Sequence, residues 1–543
     1  MPKVVTAGQA IVECLIRSGV DRIFGIPGVH TYHLFDALYE RRAEIAFIGT
    51  RHEQGAAYMA FGYAKSTGRI GVYTCVPGPG LLNTTAALCT AVAANAPVLC
   101  LTSEIPAADI GRGFGILHEL PDQLALLRGV TKWAERIDHP SAVPRLFAAA
   151  MEQLTSGRIG PVALECPWDT LSVRAPVEFD VTAPSAPQAV PDPEAVQQAC
   201  QVITAARNPM IILGAGALAA GPEILDLARR IQAPVTSHRS GRGVVSEELP
   251  YGFGFAAAYK LWPKCDVVIA IGTRMELAYL RWRHFPPDIK IVRIDIDPRE
   301  FARRAADVAI VADAKIALCA ILAALDAKQP TQRATREDEF VNVKNESRRE
   351  IEVVQPQLAY LDVIRAVLPR AGFFVEEICQ VGFTARFGFP VYEPRTYVTC
   401  GYQENLGFGF MTALGVKVAN PDKVVISITG DGGFMFGVQE LATAVQHQIN
   451  LITIVFNNRS FGNVLRDQKN SFGGRLIGEA LTNPDFVELA QCFGAVGYQA
   501  ENPAELKLAL ERALTQHGPV VIEVQSEPGS EISPWPFIRP GAR

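Results

Sequence analysis

Three times along the chain, short apolar runs rich in β-branched residues alternate with longer segments of helical period. In the first third, EIAFIGT, RIGVYTC and APVLCLTS read as strands, with Ala-rich helices between them. In the middle third, MIILGAG, APVTSH, DVVIAIG and KIVRIDI do the same, and in the last third TYVTC, KVVISITG, LITIVFNN and PVVIEVQ follow. Strands that are apolar throughout are buried on both faces, which means parallel sheets covered by helices. The expected fold class is α/β, with three successive doubly wound parallel-sheet domains. Repetition is at the level of whole domains. Two composition shifts read as linkers between them: residues 174–194 are rich in Pro, and residues 327–350 are highly charged. At the N-terminus, Ala10, Ile11, Cys14 and Leu15 mark an amphipathic helix leading into a strand.

Composition narrows the function classes. The chain has 543 residues and a net charge of −5. That charge leaves no electrostatic footprint for nucleic acid, and no polybasic segment points to a membrane surface. No apolar run approaches the ~20 residues of a membrane span, and the N-terminus does not read as a signal peptide. The expectation is a soluble, cytoplasmic protein without nucleic-acid or membrane partners. Eleven scattered cysteines without a C-x-x-C pair fit free thiols in a reducing compartment, not disulfides or a zinc site.

Two stretches carry candidate chemistry. In FIGTRHEQGAAYMAFGYA, residues 47–64, Glu53 stands at a strand-to-helix corner. Thr50 and Glu53 fit the S/T-x-x-E capping box, and a negative charge suits a helix N-terminus. Residues 423–462, KVVISITGDGGFMFGVQELATAVQHQINLITIVFNNRSFG, parse as strand, Gly-rich turn, helix, strand, Asn-Asn. If the two strands are neighbours in one parallel sheet, their ends lie about 5 Å apart. Asp431 and Asn458 then become adjacent. Gly430, Gly432 and Gly433 let the backbone approach a ligand, and the turn forms an anion site. One carboxylate, one amide oxygen and a phosphate-binding turn suit Mg²⁺.

The stretch from GDGGFMF to IVFNN resembles the thiamine diphosphate motif, which opens with GDG and ends with NN. The whole chain resembles the thiamine-diphosphate enzymes acting on 2-oxo acids, typified by acetohydroxyacid (acetolactate) synthase. The resemblance implies a pyrimidine-binding domain (1–175), a central Rossmann-like domain (193–328) and a diphosphate-binding domain (355–530). It makes Asp431 and Asn458 metal ligands, with Ser460 adding a backbone carbonyl. It makes Glu53 the catalytic acid that shares a proton with the aminopyrimidine ring; facing Ala56 and Ala57, that carboxyl would be poorly hydrated. Leu406 becomes the wedge that bends the cofactor. Pro79 and Asn83, in CVPGPGLLN, and Gln380, in EEICQVG, become cofactor-lining residues. The active site would lie between two subunits of a homodimer or homotetramer.

The implied chemistry is decarboxylation of a 2-oxo acid to an enamine. Ligation to a second carbonyl then gives an acetolactate synthase-like carboligase; the alternative is a non-biosynthetic decarboxylase that releases an aldehyde. Two departures put the branched-chain biosynthetic role in doubt. His118 and Glu119 replace an F-Q-E stretch, and Asp467 stands where a Trp lines the acceptor pocket. The adjacent His-His pair of pyruvate-decarboxylase-type enzymes is also missing. His30, His33 and His118 are the candidate proton donors; the i, i+3 spacing of His30 and His33 suggests one helical face, while His52 reads as structural. In the central block, IILGAGALAAG fails the G-x-G-x-x-G spacing because position 219 is Ala. FAD is therefore an alternative that this turn does not favour.

Overall fold

The computed structural model describes residues 2–179, 189–327 and 333–540. Three six-stranded sheets, parallel throughout, follow one another along the chain. The first holds β2 (Arg22–Gly25), β3 (Ala46–Gly49), β4 (Gly71–Cys75), β5 (Val98–Glu104), β6 (Trp133–Arg136) and β7 (Val162–Pro167). The second holds β9 (Pro209–Leu213), β10 (Val235–Ser237), β11 (Gly252–Phe253), β12 (Val267–Ile271), β13 (Lys290–Asp295) and β14 (Val308–Val311). The third holds β15 (Phe373–Val375), β16 (Tyr397–Val398), β17 (Val425–Gly430), β18 (Ile452–Asn457), β19 (Val496–Ala500) and β20 (Val520–Gln525). The fold class is the expected one: three α/β domains with buried, apolar strands.

Strand order locates the places where a ligand can bind. The orders are β3-β2-β4-β5-β7-β6, β11-β10-β9-β12-β13-β14 and β16-β15-β17-β18-β20-β19. The outer two sheets thus share one winding, and the central one differs. The direction of winding reverses between β2 and β4, between β9 and β12, and between β15 and β17; the outer two sheets turn back once more at the far edge, where β7 and β20 lie inside β6 and β19. The crevice beyond the carboxyl ends of the strands at such a point is the usual binding site of an open α/β sheet.

Both expected linkers contain regular structure, although residues 180–188 and 328–332 lie outside the described residues. Arg174–Val177 form β8, which pairs antiparallel with β1 (Lys3–Thr6). Glu337–Ile351 form a helix that buries Phe340, Ser347 and Ile351. Its many charges conceal a narrow buried stripe of helical spacing.

The first and third domains share a core. Helix α1 (Glu53–Thr67) is buried along nearly its whole length and ends at Gly68 with φ 75°. It crosses α2 (Phe408–Ala419), which is also buried along most of its length. Tyr58 and Phe61 of α1 meet Phe408 edge-on, with ring centroids 5.9 and 5.6 Å apart. The crossing is close enough for backbone to touch backbone. A methyl group on Gly62 would lie 2.1 Å from the Thr412 carbonyl oxygen, and one on Gly415 would lie 2.0 Å from that of Met59. Gly62→Ala should therefore destabilise the protein by about 1–3 kcal/mol through overpacking. Gly129→Ala, at a helical glycine with open space around it, should instead stabilise by about 0.4–1 kcal/mol. Calorimetric midpoints of the two variants check this.

Candidate functional site

The first cluster forms at the β2/β4 reversal. Val76, just beyond β4, fills the space between two glycines: a methyl group on Gly28 would lie 2.4 Å from its Cγ1, and one on Gly80 would lie 2.6 Å from its Cγ2. The same methyl on Gly80 would lie 3.4 Å from Glu53 Oε1, so the turn after β4 meets Glu53 while the loop after β2 packs on that turn through Val76. Pro79 opens the helical turn Pro79–Leu82, and Asn83 closes it. Asn83 Nδ2 donates to Glu53 Oε2 at 2.9 Å.

The Thr50–Glu53 capping box does not form. Glu53 is the first residue of α1, not its third, so its carboxylate cannot reach back to the cap. His52 is the N-cap instead: its Nδ1 accepts from Gln54 N–H at 3.1 Å, while Thr50 Oγ1 donates to the His52 carbonyl at 3.1 Å. Ala56 and Ala57 are buried in the core. The Glu53 carboxylate is half-buried beside the exposed Asn83, so those alanines do not shield it within one chain.

His30 and His118 stack beside this cluster, with ring centroids 4.8 Å apart and planes 23° apart. His30 Nε2 lies 3.1 Å from the Leu117 carbonyl. If Nε2 carries the proton, Nδ1 is left as an acceptor. The Nδ1 atoms of both rings are buried without a partner. Burial and the neighbouring His118 push the His30 pKa below its ordinary value, partly offset by the Leu117 carbonyl. His118 takes left-handed backbone with φ 68°, an unusual state that concentrates at functional sites. Its carbonyl closes on Gly78, where a methyl group would lie 2.4 Å away. His33 parts from His30 because a 3₁₀ turn, Val29–Thr31, precedes the helix at Tyr32; His30 is buried and His33 exposed.

The second cluster forms at the β15/β17 reversal. β17 and β18 are neighbours, with Gly430 opposite Phe456, so Asp431 and the Asn457-Asn458 pair emerge side by side. The helix expected after the glycine turn is broken. A single turn, α3 (Asp431–Phe434), is separated from α4 (Glu440–Gln446). Asp431 is buried, and its Oδ2 accepts from Asn483 Nδ2 at 2.7 Å. Asn458 Nδ2 donates to Glu531 Oε1 at 2.9 Å, and Asn458 Oδ1 accepts from Ser460 N–H at 3.1 Å. Gln380 opens the helix Gln380–Gly388. A methyl group on Gly462 would lie 2.9 Å from Asn458 Nδ2 and 3.5 Å from Gln380 Nε2, so the two amides share one niche. Gly432 faces Phe461, and Gly430 faces Cys379. Gly433 touches the buried carboxylate of Glu377.

The donor set fits a hard cation. Burial raises the pKa of both Asp431 and Glu531, against hydrogen bonds from Asn483 and Asn458 respectively; the charge of Asp431 raises Glu531 further. Both carboxylates meet amide and backbone N–H donors instead of a lysine or arginine. Ser460 Oγ is buried without a partner. Two desolvated carboxylates within electrostatic reach of each other leave a deficit of positive charge, which Mg²⁺ with its oxygen ligands would fill.

Leu406 is half-buried instead of lying in the core, and it is held from both sides. Gly407 N–H and Gly409 N–H donate to the two oxygens of Glu377 at 2.5 and 2.9 Å. Burial pushes the Glu377 carboxyl up to about 7, although Thr429 and these N–H groups oppose it. On the other side Glu404 accepts from Arg239 at 2.6 Å and Arg386 at 2.9 Å. Asn405 between them bonds the Thr90 and Tyr58 hydroxyls of the first domain. Sequence reasoning missed Glu377, Glu404, Asn483 and Glu531, because each meets its partner across a distance no local pattern encodes.

At the central reversal the turn at Gly214 abuts Gly272; a methyl group there would lie 2.2 Å from the Gly272 carbonyl oxygen. Cavities of about 210 and 270 Å³ flank Arg158, Ala215 and Asp295, and Ala219 lines the larger. Asp467 is exposed and pairs with Arg466 at 2.7 Å. Among the described residues, no helix is long and apolar enough to cross a membrane.

Comparison with known proteins matches this geometry. Three family models fit in succession: the N-terminal TPP binding domain of thiamine pyrophosphate enzymes over residues 5–126, their central domain over 196–325, and their C-terminal TPP binding domain over 378–524. A probable 2-ketoarginine decarboxylase of Pseudomonas aeruginosa is 34% identical, covering 96% of this chain and 94% of its own. A probable acetolactate synthase large subunit of Methanocaldococcus jannaschii is 33% identical, over 98% and 94%. The acetolactate synthase isozyme 2 large subunit of Escherichia coli is 30% identical, over 99% and 98%. The chain therefore belongs to the thiamine pyrophosphate enzymes.

Proposed function

We propose that the protein is a thiamine diphosphate- and Mg²⁺-dependent enzyme that cleaves the C1–C2 bond of a 2-oxo acid and releases the product as an aldehyde. The observation that carries the catalytic assignment is the direction of the Glu53 carboxylate. It stands at a helix N-terminus yet leaves the capping to His52 and turns to Asn83. The bound cofactor supplies the electron sink for loss of CO₂. Glu53 holds a proton at the pyrimidine end, and Asn83 orients it. Leu406, half-buried between the Glu377 and Glu404 anchors, would pack against the cofactor from the third domain. Asp431, Asn458 and the Ser460 carbonyl hold Mg²⁺, while the backbone at Gly430, Gly432 and Gly433 and the side chain of Gln380 cradle the diphosphate.

The stacked histidines favour aldehyde release. His30 and His118 stack next to the Gly78 turn with buried, unpartnered Nδ1 atoms, which can take up a proton and pass it to the product carbon. Likeness to a protein named 2-ketoarginine decarboxylase supports the same outcome. Carboligation is the second reading, supported by the likeness to acetolactate synthases. FAD is left out of the proposal: the central turn lacks the G-x-G-x-x-G spacing, with Ala219 where the last glycine would stand. The folding units we assign are residues 1–175, 193–328 and 355–530, in a cytoplasmic protein.

A second copy completes the site. The Glu53–Asn83 pair opens to the surface beside exposed Leu82 and Leu117, and the diphosphate turn lies beside exposed Met435 and Phe436. Apolar groups around two half-sites suit mutual burial in a homodimer, or a tetramer built from two.

Three measurements test these assignments. Glu53→Gln should lower kcat by about a hundredfold or more while thiamine diphosphate, followed by calorimetry with Mg²⁺, still binds; wild-type turnover would reject the proton-holding role. Incubating the enzyme with a panel of 2-oxo acids, with and without an aldehyde acceptor, should yield CO₂ and free aldehyde. His118→Gln should shift products toward ligation, whereas acetolactate as the main wild-type product would establish the second reading. Inactive Glu53→Gln and Asp431→Asn proteins, dissociated and mixed, should regain part of the activity, because each hybrid dimer holds one intact site.

A further inference from the structure

The first turn of α1 is held by the diphosphate-binding domain of the same chain. Glu440, the first residue of α4, is fully buried. Its Oε1 accepts from Arg51 N–H at 3.1 Å and His52 N–H at 2.9 Å; its Oε2 accepts from Arg51 N–H at 3.1 Å and Thr443 Oγ1 at 2.5 Å. Two further contacts join the same segments: Arg51 Nη2 donates to Gln446 Oε1 at 2.7 Å, and His447 Nε2 lies 3.3 Å from the Gly49 carbonyl. Gly55 makes the approach feasible, since a methyl group there would lie 2.5 Å from Glu440 Oε1.

A helix N-terminus needs acceptors and favours negative charge. In a self-capped helix, Glu53 would supply both. Here Glu440 supplies the charge and takes the N–H groups just before the helix. We propose that Glu440 is the positioning residue for Glu53: by accepting the Arg51 and His52 N–H groups, it leaves the Glu53 carboxylate unengaged by its own helix and fixes it toward Asn83. This rests on Glu53 having the role proposed above. The same arrangement ties the diphosphate turn to the Glu53 helix, since α4 follows α3 by only five residues.

Glu440→Gln keeps the shape but removes the charge and one acceptor. Kinetics, cofactor binding and amide hydrogen exchange on the cofactor-free protein together test the assignment. Relative to wild type, the expected kcat is lower by about tenfold to a hundredfold, with KM for the 2-oxo acid and thiamine diphosphate affinity unchanged. Exchange at the Arg51 and His52 amides should be faster. Wild-type kcat with wild-type exchange would overturn the proposal. So would a loss of kcat matched by equal losses of cofactor affinity and melting temperature, which marks a general structural role. Should Glu440→Gln fail to fold, Gly55→Ala and Thr443→Val disturb the carboxylate from either side; wild-type turnover in both would also overturn it. Glu53→Gln in parallel separates the two assignments. An active Glu53→Gln enzyme brings down the function of Glu53 itself, whereas an inactive one beside a normal Glu440→Gln enzyme removes only the role of Glu440.

Discussion

The close crossing of α1 and α2 is the constraint on which the rest of the molecule depends. With Gly62 and Gly415 at the contact, the two helices meet through their backbones. Side-chain packing can adjust by rotamer changes; a backbone contact leaves almost no slack. The N-terminal ends of these helices carry Glu53 and, one residue ahead of the cap, Leu406. The relation between an acid and an apolar side chain more than 350 positions apart is thus set by a contact that involves neither of them.

Around this apolar joint, carboxylates act as organisers of backbone. Glu377 gathers Gly407 and Gly409, and Glu440 gathers Arg51 and His52. A buried carboxylate is costly unless its lone pairs are filled, and charge-assisted bonds to N–H groups fill them strongly. Glu404 is the contrasting case: burial opposes its ionisation, but Arg386 and Arg239 hold it down to about 2. The segment carrying Leu406 therefore lies between a carboxylate that binds N–H groups and one that binds guanidinium groups.

Much of this was legible in the sequence. The apolar strand runs gave the three parallel sheets, and the strand–turn–strand spacing gave the adjacency of Asp431 and Asn458. Local period failed where contacts are long-range. His52 and Glu440 are 388 positions apart, Asn458 and Glu531 are 73 apart, and Asp431 and Asn483 are 52 apart. The capping box failed for a subtler reason. Its spacing is present, but the helix begins two residues later than the motif requires, and Glu440 of another domain accepts the Arg51 and His52 N–H groups that precede it. The charged helix Glu337–Ile351 was missed because only three of its residues are buried, too few to outweigh its composition.

The loop that carries His118 closes on itself. Glu119 accepts N–H bonds from Gly113 at 2.9 Å, Gly115 at 2.7 Å and Ile116 at 2.9 Å. Its shape is therefore partly internal, drawn from residues within six positions of one another, while His30 and Gly78 tie its His118 end to the loops after β2 and β4. A change at its exposed Phe114 or Leu117 would therefore alter the surface beside Gly78 while the crossing of α1 and α2 stays where it is.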